Sequence, residues 1–270
     1  TYRVGGLIGD SDGATIQRSY STGDINGVEN PRLLSSIRVI GGLIGDVGVG
    51  TTVTESYASG DVTADGPQIG GLVGTNTGGS TVNKSYATGS VTGESRVGGF
   101  VGRNTGEITD AFAAGAVDNG QDVFIGGFAG DNDDGTITDA YWDSDTSYFS
   151  AGVGNDVGGT GSGDVTELFS TTDMQGSTYA TELDDLFDSG SWTTVAGDYP
   201  DLVNNPRMLS TRHYDEPSDG EMDTILGDME TDGDGNLVVT SDKALAAITR
   251  AGLTGDYRLG LDIDASGTDE

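Results

Sequence analysis

The sequence predicts an all-β fold: a β-solenoid, parallel β-helix-like, of about five rungs, followed by a capping segment and a small C-terminal strand-helix-strand segment. Two blocks recurring at a fixed offset carry that reading. The first is Val4-Gly5-Gly6-Leu7-Ile8-Gly9, repeated as Ile40-Gly41-Gly42-Leu43-Ile44-Gly45, Ile69-Gly70-Gly71-Leu72-Val73-Gly74, Val97-Gly98-Gly99-Phe100-Val101-Gly102 and Ile125-Gly126-Gly127-Phe128-Ala129-Gly130. The starts are 36, 29, 28 and 28 residues apart. The second block is Ser19-Tyr20-Ser21, then Ser56-Tyr57-Ala58, Ser85-Tyr86-Ala87, Ala111-Phe112-Ala113 and Ala140-Tyr141-Trp142. The third observation is local. The apolar pieces are short, β-branched and bounded by Gly, Asn, Asp and Thr, and no convincing 3.6-residue period runs through residues 1–140.

Each repeat supplies two or three strands in order. A β-branched residue sits between the blocks (Ile16, Val53, Val82, Ile108, Ile137), and another follows the aromatic (Ile25, Val62, Val91, Val117). Rungs stacked at about 4.8 Å bring equivalent residues into ladders. One ladder is Leu7, Leu43, Leu72, Phe100 and Phe128, all expected to point inward. The other is Tyr20, Tyr57, Tyr86, Phe112 and Tyr141, expected to stack in the core rather than bind sugars. The paired glycines belong where a rung bends or backbones approach closely. Ser-Asp-Gly (11–13), Asn-Thr-Gly (76–78, 104–106) and Asp-Asp-Gly (133–135) read as turns in which Gly supplies a positive φ. Extra residues around 28–38 should form a loop at one corner. A propeller is disfavoured, because a blade takes about 40 residues or more.

Gly-Gly-Leu-(Ile/Val)-Gly followed by Ser-Tyr-Ala-x-Gly-x-Val resembles the GLUG motif, over residues 4 to about 145. The resemblance implies a non-catalytic repeat of large microbial surface proteins, with no catalytic residue to transfer. It continues through Tyr141-Trp142-Asp143, Gly159-Thr160-Gly161, Thr171-Thr172-Asp173-Met174, Trp192 and Tyr199-Pro200-Asp201-Leu202, a segment that would cap the array with Trp142 and Trp192. The domains expected are residues 1–145 (solenoid), 146–202 (cap), 203–220 (linker) and 221–270. That last part offers a strand at Leu237-Val238-Val239, a helix over 242–250 and an alternating run from Tyr257 to Asp264. It resembles the opening of a further array, so the sequence reads as a window of a longer chain or a unit that assembles head-to-tail with copies of itself.

Composition narrows the partners. The chain has 44 acidic and 12 basic residues, a formal net charge of −32, no Cys and one His. That charge excludes direct electrostatic binding to nucleic acid or anionic lipid. Without Cys there is no disulfide, no Cys-ligated zinc and no thiol catalysis. No apolar run reaches the roughly 20 residues of a membrane helix, so no span is expected in this segment. Asp outnumbers Glu 34 to 10 and Arg outnumbers Lys 10 to 2. Such an acidic, lysine-poor surface resembles that of proteins from extreme halophiles, and an archaeal source is expected.

Candidate chemistry is sparse. The carboxylate pairs Asp131/Asp133/Asp134, Asp143/Asp145, Asp184/Asp185 and Asp262/Asp264 could flank a glycosidic bond. With this many Asp they read instead as turns and surface, and no Arg cluster is expected beside them. Glu230, Asp232, Asp234, Asn236 and Asp242 resemble half of a calcium loop, although Ser241 stands where its bidentate Glu belongs and a plain turn is the competing reading. Calcium is therefore the one cofactor in view. Asn83-Lys84-Ser85 is the only glycosylation sequon. His213 reads as a surface linker residue. The expectation is an extracellular, cell-surface stalk, filament or adhesin segment without enzymatic activity, meeting surface glycans or neighbouring cells. The alternatives are a polysaccharide-degrading β-helix and the fibre of a halophilic virus.

Overall fold

The structure, a computed structural model, describes residues 2–27, 37–119, 124–147, 151–158, 165–167, 174, 190–193, 199–207, 237–239 and 257–259. They fall into two units, Thr1–Arg207 and Met208–Glu270. In the second, Leu237–Val239 runs parallel to Tyr257–Leu259. The helix expected at 242–250 lies outside the described residues.

In the first unit, short strands follow one another around a rung, and each rung lies on the next in parallel register. Four sheets result, more strands per rung than the sequence suggested. The first sheet holds Tyr2–Gly5, Ile37–Gly41, Gln68–Gly70, Val97–Gly98 and Ile125–Gly126. The second holds Ile8–Ser11, Ile44–Val47, Val73–Asn76, Val101–Asn104, Ala129–Asp133 and Val153–Val157. The third is built on Thr15–Gln17, Thr52–Thr54, Thr81–Ala87, Glu107–Ala113, Thr136–Trp142 and Val165–Glu167, joined by Tyr20–Ser21 and Tyr57–Ala58. The fourth holds Ile25–Gly27, Val62–Ala64, Val91–Gly93 and Val117–Asn119. Val153–Val157 and Val165–Glu167 therefore add a partial sixth rung beyond residue 145. The extra residues of the first repeat fall largely outside the described ones.

The glycine pairs make the corner between the first two sheets. A Cβ on Gly42, Gly71 or Gly99 would overlap the carbonyl oxygen of the glycine stacked on it, Gly71, Gly99 or Gly127. Neither member of these pairs has a positive φ. Glycine is needed there for space between backbones, not for handedness. The turns behave differently from expectation. Gly13 does adopt a positive φ of 62°, but in the later turns the residue in that region is Gly79 at 82° and Asp134 at 58°. Gly106 and Gly135 instead leave room for the side-chain amides of Asn76 and Asn104.

The third sheet carries the least expected feature. Arg18, Glu55, Lys84, Asp110 and Asp139, one in each of five rungs, are left-handed with φ between 46° and 50°. Such a residue costs about 1–2 kcal/mol in a non-glycine. It also slips the inside–outside alternation by one position. Val82 faces the interior, and after the left-handed Lys84 the fully buried Ser85 and Ala87 bracket Tyr86, which packs in a separate cluster. The same holds for Ile108, Ala111, Ala113 and Phe112.

Two apolar cores run along the inside. Leu43, Leu72, Phe100 and Phe128 form the expected ladder, packed with Val53, Val82, Ile108 and Ile137. Phe100 and Phe128 stack at 4.8 Å. Ile40, Ile69, Val97, Val62, Val91 and Val117 form the second. Leu7 departs from expectation: it keeps its place in the hydrogen-bond register, donating to the Leu43 carbonyl, but is 51% exposed, where Leu43 is fully buried. Trp142 occupies the position that Ala58, Ala87 and Ala113 hold in earlier rungs. There its indole fills the space against Gly127 and Gly152, so Trp142 plugs the interior between the fifth and sixth rungs, as a cap should. A buried amide string runs beside this core: Asn76 Nδ2 donates to Asn104 Oδ1 (2.8 Å), Asn104 Nδ2 to Asn132 Oδ1 (2.9 Å) and Asn132 Nδ2 to Asp156 Oδ1 (3.2 Å).

Candidate functional site

The aromatic row is brought together as the repeats require, but on the outside of the third sheet. Tyr20, Tyr57, Tyr86 and Phe112 stack with centroid separations of 5.2, 5.0 and 4.9 Å and interplanar angles of at most 9°. Tyr141 joins the same cluster. Tyr57, Tyr86, Phe112 and Tyr141 are buried in an apolar core, as expected, but in a cluster of their own, because the parity slip at the left-handed residue turns each ring away from the two inner cores. It also weighs against sugar stacking along the row. The ring faces of Tyr57 and Tyr86 lie against one another, and only ring edges are turned to the side.

What buries the row is a distant part of the chain. Trp192–Thr193 pairs antiparallel with Asp201–Leu202, and this small hairpin lies on the outer face of the third sheet. Trp192 meets Phe112 at 5.6 Å and Tyr86 at 6.0 Å, tilted by about half a right angle. Met174, Tyr199 and Leu202 complete the cover. Trp192 was expected to close the end of the stack. It instead straps the flank, since the surface that needs cover is the outward aromatic row.

The strap is held by polar side chains. Tyr199 Oη donates to Asp143 Oδ2 (2.7 Å), Tyr86 Oη to Asp201 Oδ1 (2.9 Å), Lys84 Nζ to Ser191 Oγ (2.9 Å) and Asn204 Nδ2 to Glu55 Oε1 (2.8 Å). Asn205 Nδ2 donates to the Glu55 carbonyl (3.0 Å), and the Arg207 guanidinium sits 5.5 Å from the Tyr86 ring centre. Glu55, Asp143 and Asp201 are all buried. The hydrogen bond from Asn204, then that from Arg18, holds the Glu55 carboxyl below its ordinary range against the opposing cost of burial. Burial pushes the Tyr86 phenol well above its ordinary range, and neighbouring Asp201 adds to that.

A second polar cluster overturns an expectation. Arg and carboxylate do meet, around Asp131 of the second sheet: Arg96 Nε lies 2.8 Å and Arg103 Nε 3.9 Å from Asp131 Oδ2, and Arg103 also pairs with Asp133. Residues 28 to 35 apart in sequence meet because one rung separates them, which no local motif reveals. Asp131 is 3% exposed, and its other oxygen accepts from Asn155 Nδ2 at 2.7 Å. Both oxygens are therefore engaged in tying three rungs together. Arg3 makes a similar link from Asp10 to Asp46.

The remaining candidates are placed as follows. Asp143 Oδ1 accepts from the Asp145 amide, a turn arrangement. Asn83 lies mid-strand, paired on both sides, with its Oδ1 buried and unpaired. The sequon is thus part of a sheet rather than an accessible loop. Glu230, Asp232, Asp234, Asn236, Asp242, His213, Asp184, Asp185, Asp262 and Asp264 lie outside the described residues. Among the described residues, no group of three or more His, Cys, Asp or Glu side chains is arranged to hold a metal ion. The left-handed column and the amide string were missed. The second had a signal, Asn at the same place in three successive repeats.

No curated protein and no solved structure matches the chain. A family model does: residues 65–92 and 93–118, the third and fourth rungs, match the GLUG motif, so the chain carries GLUG repeats.

Proposed function

We propose that this chain is a structural segment of an extracellular, cell-surface stalk, filament or adhesin of a halophilic microbe, without catalytic activity. The observation that carries the reading is the use made of its buried polar groups. Asp131, Asn76, Asn104, Asn132 and Glu55 are each committed to neighbouring rungs or to the strap. A protein built to do chemistry leaves such groups facing a substrate, whereas one built to carry length spends them on register. The acidic surface supports a briny setting, where screening suppresses carboxylate repulsion. Head-to-tail stacking of copies is part of this reading, supported by a parallel register that repeats unchanged from rung to rung and that a further rung can continue.

Sedimentation and electron microscopy in concentrated KCl test this. Linear assemblies that lengthen with protein concentration are expected, together with a Tm that climbs with salt. A monomer at every concentration overturns the assembly, and equal stability in dilute buffer overturns the halophilic setting. The Arg96–Asp131–Arg103 cluster favours a second reading, a polysaccharide-cleaving surface. Turnover of a polysaccharide that Asp131→Asn abolishes, with the fold intact, would establish it in place of the first.

A further inference from the structure

The outer face of the third sheet divides at the left-handed residue. Past it lie the aromatic row and its cover. Before it, each of five rungs presents two outward side chains, and parallel register aligns them in two columns. The first column is Thr15, Thr52, Thr81, Glu107 and Thr136, and the second is Gln17, Thr54, Asn83, Thr109 and Thr138. Ile16, Val53, Val82, Ile108 and Ile137 lie between them and are buried inside, so strand alternation turns both columns outward. Thr15, Thr52, Glu107, Thr136 and Gln17 are exposed, and the other five are half-buried. Seven of the ten are Thr, and one, Glu107, is charged. The surroundings are the opposite. The residue after the second column is charged in every rung: Arg18, Glu55, Lys84, Asp110 and Asp139. The outward column of the second sheet holds Asp10, Asp46, Arg103 and Asp131. On a chain of net charge −32, this strip is nearly uncharged. Val49, 59% exposed in the turn that leads into Thr52–Thr54, gives it an apolar edge.

We propose that this strip is the face on which two copies of the chain pair side by side, related by a two-fold axis. Hydrogen-bonding chemistry selects a second copy as the occupant. A Thr hydroxyl and an Asn or Gln amide both donate and accept, so columns made of them complement themselves, whereas ionised carboxylates only accept. A two-fold contact sets one patch against the same patch and needs that self-complementarity. Charge points the same way. Two bodies of net charge −32 repel wherever carboxylates face each other, and like charges directly opposed across a sheet face are unfavourable. A cationic partner would be drawn instead to the carboxylates elsewhere on the surface. Glu107 is tolerated, because away from the axis it faces a hydroxyl or amide that can donate to it. The strip extends about 20 Å along the stack and about 10 Å across it, well short of the roughly 800 Å² per partner of a stable interface. One pair of chains therefore associates weakly, and pairing strengthens as rungs are added. The pairing does not rest on head-to-tail stacking: stacking lengthens a fibre, whereas face pairing thickens it.

Because the chain has no Cys, single cysteines report the contact directly. Thr52→Cys, Thr81→Cys and Thr109→Cys in the strip are compared with Thr63→Cys and Thr92→Cys, exposed positions on the outer face of the fourth sheet. In concentrated KCl, where repulsion is screened, a short bis-maleimide is expected to join the strip cysteines into dimers at least about tenfold faster than those on the fourth sheet. Thr52→Asp with Thr81→Asp, added to the Thr109→Cys chain, should abolish that advantage at unchanged Tm, because the contact would bury carboxylates without partners. Small-angle scattering should show the same loss as a smaller cross-sectional radius, whatever the fibre length. Equal rates on the two sheets overturn the proposal, and this comparison stands whether or not the double variant folds. A folded double variant that cross-links like its parent also overturns it. So does a chain that stays monomeric while dextran shields the strip cysteines from the maleimide, which assigns the face to a neutral glycan.

Discussion

The inner ladder of Leu43, Leu72, Phe100 and Phe128, at the corner between the first two sheets, and the outer row of Tyr57, Tyr86, Phe112 and Tyr141, on the third, share the pitch of the rungs. They differ in what buries them. The inner ladder is closed by the next turn of its own rung, within about 15 residues of chain. The outer row waits for Met174, Trp192, Tyr199 and Leu202, and Asn204 beside them reaches Glu55 across some 150 positions. Stacking thus makes ladders on either face at no extra design, but only the inside comes with its own cover. The outside needs a remote segment, and that segment is tied on by side-chain hydrogen bonds.

The sharpest way to break this contrast is Phe100→Ala. Phe100 is fully buried between Leu72 and Phe128, and the lost burial plus cavity should cost about 3–5 kcal/mol. Chemical denaturation in high salt should show the rungs failing as one unit. A loss confined to the strap, or none, would mean that the inner ladder does not carry the stack.

Gly99→Ala tests the corner itself. The new methyl would meet the Gly127 carbonyl and the Ala113 methyl, neither of them the yielding end of a long side chain. About 1–3 kcal/mol of destabilisation is expected from the overpacking. An unchanged melting midpoint would show that the rung can open at its bend. Smaller still is Tyr199→Phe, which removes the donor to Asp143 while leaving the ring in place. About 1 kcal/mol should be lost, read as faster exchange across 190–207 with the rungs untouched. An equal effect on the strands at 107–113 would erase the distinction between ladder and row.

Much of the inner architecture was legible. Residues such as Leu72 and Phe100, or Gly71 and Gly99, recur at one place in each repeat, and parallel stacking converts recurrence into contact. The outer row was legible as a stack, but not the side on which it lies. Counting by twos from Val82 puts Tyr86 on the same side as Val82, and only the left-handed turn at Lys84 sends it outward. That residue is Arg, Glu, Lys or Asp in different rungs, so composition gives no warning of its φ. The Arg96–Asp131 and Tyr199–Asp143 contacts were invisible for a different reason: each joins elements whose proximity exists only once the rungs are stacked or the strap is laid down.

The amide string from Asn76 to Asp156 constrains how such a protein can change its length. Asn104 and Asn132 each give and receive along the string, so removing or duplicating one whole repeat between Asn76 and Asn132 leaves every amide with a neighbour. Losing part of a repeat does not, because it strands a donor or an acceptor inside the core. Growth and loss are thereby quantised in steps of about 28 residues, the spacing of the later repeats. The terminus of the string is exempt from that arithmetic: Asp156 in its ionised form accepts but has no proton to hand on. A carboxylate in that place works as punctuation, and moving the punctuation moves the end of the column.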